Sequence, residues 1–328
     1  MIISRTPYRI SFFGGGSDYP SWYNKYSGEV LSATIDKYLY LSVRELPLFF
    51  KHNYRIVYSK IEIANNINEI KFNVIKQMIK RYKINKGLEI HYDGDLPARS
   101  GMGSSSSFVV GLIKIFNSFL KNKISKKKLA EESIWFEQKV LKELVGSQDQ
   151  IATSYGGFNS IKFYKNGNFN TYKYDIDDNF FRKLNDNLIL VFSGINRTAN
   201  LIASSYVKKL NSTKRKDMFE LIQLVQDAKK IIKNKNLDEF GSLLHETWLL
   251  KKSISKKIST DKIDIIYDEA IKQGAKGGKL LGAGGGGFLL FYVPKQKQKH
   301  FLKNLKKVIT VKFKFTDQGS SIIYNSND

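Results

Sequence analysis

The order of apolar and polar residues predicts a chain in which strands alternate with helices. Leu88, Ile90 and Tyr92 alternate with polar residues, which is the period of a half-buried strand. Between Phe108 and Leu120, apolar residues recur at intervals of three and four, which is the period of a helix with one buried face. The same patterns predict strands at 8–13, 28–33, 38–44, 88–92, 157–163, 169–175, 188–192, 288–293 and 309–315, and helices at 68–82, 104–120, 126–144, 215–232, 237–250, 262–273 and 295–306.

The length of the chain, 328 residues, favours two domains over one. Hydrophobic residues make up 42% of the sequence, which is enough to fill two cores. The polar stretch Asp175–Asn179 is typical of a junction between domains. We therefore expect an α+β protein with domains at 1–183 and 184–328 and a cleft between them.

Cysteine is absent from the sequence, which excludes disulfides, thiolate zinc sites and cysteine nucleophiles. The first residues lack the apolar core of a signal peptide, and no unbroken apolar run has the length of a membrane span. We therefore expect a cytoplasmic protein without a membrane partner.

The net charge of +24 points towards an anionic partner. The lysines, however, are scattered in small groups along the predicted amphipathic helices, and no nucleic-acid-binding motif accompanies them. We therefore interpret them as solvated helix faces and expect no nucleic-acid partner. The charge can still concentrate anionic substrates near the protein.

Residues 96–107, LPARSGMGSSSS, precede the predicted helix at 104–120. Gly101 and Gly103 allow a tight turn and a close approach of a ligand to the backbone. The helix that follows gathers amide groups and about half a positive charge at its first turn, which suits a phosphate. A capped helix after a flexible linker is the alternative. The lysine of a Walker sequence and the distant acidic residue of a dinucleotide site are both missing.

Two further glycine-rich segments lie near the ends of the chain: residues 7–19, PYRISFFGGGSDY, and residues 277–288, GGKLLGAGGGGF. The second has the glycine spacing of a dinucleotide site, but a strand-like run follows it where that site needs a helix. We therefore predict a hairpin between two strands, with a bare backbone that a neighbouring ligand can approach.

Together the three segments resemble the motifs of the GHMP kinases, which include galactokinase, homoserine kinase, mevalonate kinase and phosphomevalonate kinase. Met102 replaces the leucine of the family's ATP loop. The resemblance implies a two-domain α+β fold, an active site in the cleft between the domains, and ATP and Mg²⁺ as cofactors. The oligomeric state stays open, and a homodimer is one of the options.

The first and last segments look most like those of the bacterial D-glycero-D-manno-heptose 7-phosphate kinases. This resemblance implies transfer of the γ-phosphoryl group of ATP to the anomeric hydroxyl of a phosphorylated sugar. The product would be the 1,7-bisphosphate used for GDP-heptose and capsular or surface polysaccharide. Fucose kinase, or another sugar kinase of the family, is the alternative enzyme. A catalytically silent sugar sensor or a nucleic-acid-binding protein is the alternative outside enzymes.

The resemblance also implies roles for individual residues. Asp149 would orient or deprotonate the acceptor hydroxyl, and Arg9 would stabilise both this carboxylate and the transferred group. Ser105 and Glu137 would hold magnesium. The residues expected to bind ATP are Pro97, Arg99, Ser100, Gly101, Met102, Gly103, Ser104, Ser105 and Ser106. The residues expected to contact the sugar are Gly15, Gly16, Ser17, Asp18, Gly156, Gly157, Arg197, Gly284 and Gly285.

Three of these residues have a more specific expected role. Asp18 would accept hydrogen bonds from sugar hydroxyls, which carboxylates do well. Arg197 would meet a phosphate on the acceptor, with Arg99 as the second candidate, because arginine suits phosphate geometry. For Arg197, an arginine that simply faces solvent is the equal alternative. The retention of both metal ligands together with Arg9 and Asp149 argues against a silent sensor.

Overall fold

The computed structural model describes residues 1–196, 202–305 and 308–326, so Arg197 lies outside the described residues. These ranges contain two β-sheets. The strands are β1 Ile2–Phe13, β2 Gly28–Glu45, β3 Tyr54–Val57, β4 Ile61–Ala64, β5 Leu88–Gly94, β6 Phe158–Phe163, β7 Phe169–Tyr174, β8 Leu188–Phe192, β9 Gly277–Leu280, β10 Phe288–Tyr292, β11 Ile309–Val311 and β12 Ser321–Asn325.

Helices cover the sheets. They are α1 Pro20–Tyr26, α2 Asn73–Tyr82, α3 Ser104–Phe119, α4 Lys126–Trp135, α5 Gln148–Tyr155, α6 Asn179–Asp186, α7 Arg215–Lys233, α8 Leu237–Ile254, α9 Asp261–Lys272 and α10 Gln298–Asn304. A π-helical turn, Phe136–Val140, continues directly from α4. None of the helices in the described ranges has both the length and the apolar character needed to cross a membrane.

The first sheet has the order β12-β1-β2-β5-β3-β4, and β2 also pairs with β6, which in turn pairs with β7. The second sheet has the order β11-β8-β10-β9. Strand β12 pairs with β1, so the end of the chain completes the first sheet. The division at residue 183 stays a prediction.

Both halves of the chain contribute to one shared core. From Thr6 onwards every residue of β1 is buried. The ring of Phe12 lies 5.2 Å from that of Phe158 and 5.6 Å from that of Phe240, which belongs to α8. Aromatic contacts of this kind add stability beyond the area that they bury. The packing holds α8 against the strand that carries Arg9.

Most predicted elements occur in the structure with shifted ends, but several differ. The predicted strands 28–33 and 38–44 are one continuous strand, β2, and the helix predicted at 68–82 begins only at Asn73. Helix α5 was not predicted, because Gln148, Gln150, Thr153 and Ser154 are buried polar residues that break the apolar period. The predicted hairpin near the C-terminus is confirmed, since β9 and β10 pair antiparallel around the glycines.

Candidate functional site

One cavity of about 400 Å³ lies among the glycine-rich segments of the chain. Its wall combines residues of β1, the start of α3, the loop before α5, helix α8 and the loop between β9 and β10. These elements come from distant parts of the sequence, so the cavity exists only in the folded protein.

Gly101 and residues 103–106 form the part of this wall that suits a phosphate. Gly101 and Gly103 both have a φ of +80°, a left-handed conformation that favours glycine. A Cβ atom on Gly101 would lie 2.6 Å from the carbonyl oxygen of Leu281, so this glycine also lets the β9–β10 loop pack closely. Because α3 begins at Ser104, its first-turn amides and the positive end of its dipole lie at the cavity.

The structure brings most of the predicted ATP-binding residues to this wall. The residues on the wall are Arg99, Gly101, Gly103, Ser104, Ser105 and Ser106. Among the described residues, three predicted ones lie off it: Met102 is in the core, Ser100 is buried, and Pro97 is exposed elsewhere. The carbonyl oxygen of Ser100 accepts a hydrogen bond from the amide of Phe288 at 3.0 Å. Ser100 therefore joins the two glycine loops to each other.

Arg9 and Asp149 form a bidentate ion pair beside the phosphate-binding segment. Arg9 Nε donates to Asp149 Oδ1 at 2.7 Å, and Arg9 Nη2 donates to Oδ2 at 2.8 Å. The remaining nitrogen, Nη1, donates to the carbonyl oxygen of Gly101 at 2.8 Å, and Arg9 is only 4% exposed. A Cβ atom on Gly103 would lie 3.2 Å from Asp149 Oδ2. The predicted catalytic pair thus contacts the segment that would hold the phosphates of ATP.

Glu137 lies fully buried in the π-helical turn that follows α4. Its Oε2 accepts hydrogen bonds from Ser106 Oγ at 2.8 Å and from Gln150 Nε2. Burial raises the pKa of the Glu137 carboxyl to about 8, although these two hydrogen bonds act in the opposite direction. Ser106, and not Ser105, therefore contacts Glu137. Successive helix residues point about 100° apart, so Ser106 faces inward while Ser105 is exposed at the cavity.

The residues around Glu137 fit a magnesium ion. Its Oε1 is buried and has no hydrogen-bond partner within the described part of the chain, so one hard oxygen remains available. The Ser106 hydroxyl, 2.8 Å from Oε2, is a second oxygen beside it. Magnesium takes few protein ligands and is commonly completed by substrate phosphates and water. A site of two protein oxygens beside the phosphate-binding segment matches that chemistry.

Asp18 lies on the same wall. Its Oδ1 accepts a hydrogen bond from the Gly16 amide at 2.9 Å, and its Oδ2 accepts one from the Gln148 amide at 3.4 Å. Burial raises the pKa of the Asp18 carboxyl, and the nearby charge of Asp149 adds to the effect. A Cβ atom on Gly146 would lie 1.8 Å from Asp18 Oδ2, so only glycine leaves room for this carboxylate.

The other residues predicted to contact the sugar separate into two groups. Those on the cavity wall are Gly15, Gly16 and Gly284. Ser17 is buried off the wall, where its hydroxyl donates to the carbonyl oxygen of Glu29 at 3.0 Å. Gly285 is also off the wall, and its amide donates to the carbonyl oxygen of Ile258 at 2.8 Å.

Gly156 and Gly157 do not reach the cavity, contrary to the role expected for them. A Cβ atom on Gly156 would lie 2.2 Å from the carbonyl carbon of Gln318, and one on Gly157 would lie 2.7 Å from Lys173 Cε. The segment near the C-terminus passes directly against both glycines. They permit this close packing, and no sugar contact follows from their position.

Two lysines on the wall, the half-buried Lys251 and the buried Lys279, were not predicted. Lys251 Nζ donates to the carbonyl oxygens of Gly282 and Leu280, and burial lowers its pKa to about 8, with the charge of Arg9 adding to the effect. Lys279 Nζ donates to the carbonyl oxygen of Ser11 at 3.0 Å, and burial lowers its pKa well below the usual value. A charged residue inside an otherwise apolar, glycine-rich strand was the available signal for Lys279.

Two family descriptions match the chain: GHMP kinases N terminal domain over residues 68–157, and GHMP kinases C terminal over residues 228–309. The chain is also 32% identical, over 97% of both sequences, to a D-glycero-alpha-D-manno-heptose 7-phosphate kinase of Campylobacter jejuni. The chain belongs to the GHMP kinases. A mevalonate kinase of Methanocaldococcus jannaschii is 30% identical over 74% of this chain and 75% of its own. Like these relatives, the protein is an ATP-dependent phosphotransferase, as the resemblance implied.

Solved structures of GHMP kinases confirm the expected α+β fold. A D-glycero-D-manno-heptose 1-phosphate kinase from Bacteriodes thetaiotaomicron aligns with a TM-score of 0.80, at 24% identity, over 99% of this chain and all of its own. Lactococcus lactis galactokinase in complex with galactose aligns with a TM-score of 0.75, at 17% identity, over 98% of this chain and 94% of its own.

Proposed function

We propose that this GHMP kinase phosphorylates the anomeric hydroxyl of D-glycero-D-manno-heptose 7-phosphate and produces the 1,7-bisphosphate. The observation that carries the proposal is the position of the Arg9–Asp149 pair, which shares one cavity with the phosphate-binding segment and with Asp18. In this arrangement the phosphate-binding segment would hold the phosphoryl donor, and Asp18 would hold the acceptor sugar. The Asp149 carboxylate would lie between the two. The Campylobacter relative supports the choice of sugar, because it covers nearly the whole chain.

Phosphoryl transfer requires positioning and charge stabilisation more than covalent chemistry. Each oxygen of Asp149 accepts one guanidinium hydrogen bond and keeps a lone pair for the acceptor hydroxyl. As the hydroxyl oxygen attacks the γ-phosphorus and the bond to ADP breaks, its proton passes to Asp149. Arg9 stabilises the carboxylate before this step, and its charge lies beside the group that moves.

Bound with ATP, Mg²⁺ would neutralise charge on the phosphates. The Ser106 hydroxyl and the Glu137 carboxylate would hold it. The hydroxyl of Ser105, one position earlier, faces the cavity and is available to the phosphates directly.

The acceptor sugar would lie against Asp18 and the backbone of Gly15 and Gly16. Asp18 receives its hydrogen bonds from backbone amides, so the carboxylate is held still and can accept from a sugar hydroxyl. Such a fixed acceptor favours a polyhydroxylated substrate over mevalonate.

A phosphorylated acceptor also requires a cation. Lys251 uses two of its three N–H donors on carbonyl oxygens, which leaves one for a ligand in the cavity. We assign it to the acceptor phosphate, with Arg99 at the cavity as the second candidate. Arg197 remains a prediction, since it lies outside the described residues.

A coupled assay of ADP release tests the proposal. The acceptors compared are D-glycero-D-manno-heptose 7-phosphate, the unphosphorylated heptose, L-fucose, D-galactose and mevalonate. We expect the highest kcat/KM for the heptose 7-phosphate. The Asp149→Asn variant, prepared in the same way, measures activity from contaminating kinases. A higher kcat/KM for L-fucose than for either heptose would refute the assignment and identify a fucose kinase.

A further inference from the structure

A second cavity, of about 740 Å³, lies between the β6–β7 hairpin and helix α7. It shares no described wall residue with the catalytic cavity. Three tyrosines and three lysines line it, together with one buried carboxylate, and we call it the tyrosine cleft. Its principal residues are Tyr164, Tyr172, Tyr174, Lys162, Lys229 and Lys233, with Glu29 as the carboxylate.

The aromatic side of the cleft is unusually accessible. Tyr172 and Tyr174 are two positions apart on β7, so both point to the same face of the strand. Their rings lie 4.9 Å apart in an edge-to-face arrangement. Tyr172 is 65% exposed although it borders a cavity. An exposed aromatic ring beside a cavity provides an apolar surface for a flat or cyclic ligand.

The lysines give the cleft a positive edge. Lys229 is paired with Glu29 at 2.9 Å. Lys162 Nζ lies 5.6 Å from the centre of the Tyr164 ring. Neither Lys162 nor Lys233 forms a salt bridge with any residue in the described ranges, so both charges are available to a ligand. Lysine commonly binds phosphate as a point charge.

The buried end of the cleft is acidic, and the Glu29 carboxylate there accepts three hydrogen bonds and keeps one lone pair. Glu29 accepts from Ser160 Oγ, from Lys229 Nζ at 2.9 Å and from Gln226 Nε2 at 2.6 Å. Ser160 lies directly opposite Tyr172 in the β6–β7 pairing, so the carboxylate and the exposed ring are close neighbours. A phosphate would be repelled from this end, whereas a hydroxyl-bearing ring can donate to the carboxylate.

We infer that the tyrosine cleft binds a phosphorylated sugar as a second, non-catalytic ligand. The sugar ring packs on Tyr172 with a hydroxyl directed at Glu29, and the phosphate lies at the outer edge between Lys162 and Lys233. Helix α7 also contributes Met218 and Leu221 to the wall of the catalytic cavity, so the two cavities share one helix.

Isothermal titration calorimetry with D-mannose 6-phosphate tests this inference. The full-length protein carries Asp18→Asn to weaken binding in the catalytic cavity. We expect saturable binding that Tyr172→Ala weakens about five- to tenfold through the lost ring contact. We expect the double change Lys162→Gln and Lys233→Gln to weaken it about ten- to hundredfold, as loss of charge-assisted hydrogen bonds does.

Matched changes elsewhere separate the cleft from general effects. Tyr324→Ala removes another exposed tyrosine, and the pair Lys123→Gln and Lys216→Gln removes the same net charge outside the cleft. Both should leave the affinity unchanged. Binding that is absent, or that the cleft variants and the matched variants weaken equally, would overturn the inference.

Two further ligands show whether the cleft recognises the sugar or only the phosphate of the ligand. GDP-mannose adds a nucleotide to the sugar phosphate, and GDP lacks the sugar. The inference requires GDP to bind more weakly than D-mannose 6-phosphate, whereas GDP that binds as tightly would overturn the sugar assignment. The assay involves no turnover, so its result is independent of which sugar the kinase phosphorylates.

Discussion

Replacing Glu137 with glutamine should stabilise the ligand-free protein and impair its use of magnesium. Glu137 is fully buried, and burial raises its pKa from 4.5 to about 8. The unfolded chain releases this proton near pH 4.5, whereas the folded protein keeps it up to about pH 8. Between these values the folded state binds more protons, so the stability of the wild type falls as the pH rises. Glutamine has the same shape and cannot lose the proton.

The magnitude follows from the size of the shift. Each pH unit between the two pKa values costs the wild type about 1.4 kcal/mol relative to the glutamine variant. From pH 5 to pH 7 the difference between the two proteins should therefore grow by about 2–3 kcal/mol. Below pH 4 their dependence on pH should become the same, because both side chains are then neutral in either state.

Urea unfolding at several pH values, without nucleotide or metal, measures this difference. Glu131→Gln is the matched control, since the Glu131 side chain is 43% exposed on α4 and lies 4.0 Å from Lys127 in an exposed ion pair. Its curve should run parallel to that of the wild type. Addition of Mg²⁺ and ATP should reverse the order, because a cation favours the ionised carboxylate that the variant lacks. Parallel curves for the wild type and Glu137→Gln would refute the reasoning.

Four further predictions follow from the site. Asp149→Asn should lower kcat by about 10²–10⁴ while circular dichroism shows an intact fold; near-normal turnover would remove Asp149 from proton transfer. Ser106→Ala should raise the Mg²⁺ concentration needed for half-maximal activity more than Ser105→Ala does, and the reverse order would move the metal ligand to Ser105. Lys251→Met should raise KM for the phosphorylated acceptor about ten- to hundredfold. An equal rise in KM for ATP would show that Lys251 stabilises the β9–β10 loop and does not bind the acceptor phosphate. Gly146→Ala should lower Tm and acceptor affinity together, since its Cβ would lie 1.8 Å from Asp18 Oδ2; an unchanged Tm would show that the loop relaxes without cost.

Local patterns were sufficient for several features of this GHMP kinase. Helix α3 has a regular apolar period and a glycine turn before it, and both signals lie within about twenty residues of each other. The C-terminal hairpin was predictable because a strand-like run follows the glycines directly. Family resemblance added Arg9 and Asp149, whose bidentate contact joins residues that are 140 positions apart.

Other features depended on the folded chain. Ser105 and Ser106 are neighbours in a run of four serines, and the sequence does not distinguish them. Only the orientation of α3 in the folded protein shows that Ser106 faces Glu137. Lys251 lies in an ordinary helical pattern, and its place on the cavity wall appears only where α8 meets the β9–β10 loop.

The tyrosine cleft shows the same division between sequence and tertiary structure. The sequence by itself determined that a glycine-serine turn starts a helix, because backbone freedom and helical period are local properties. The tertiary structure decided which side chains face one another across a cavity, since burial and charge pairing arise from contacts between segments that are distant in sequence. Glu29 meets Lys229 of α7 only because strands and helices from both halves of the chain pack together.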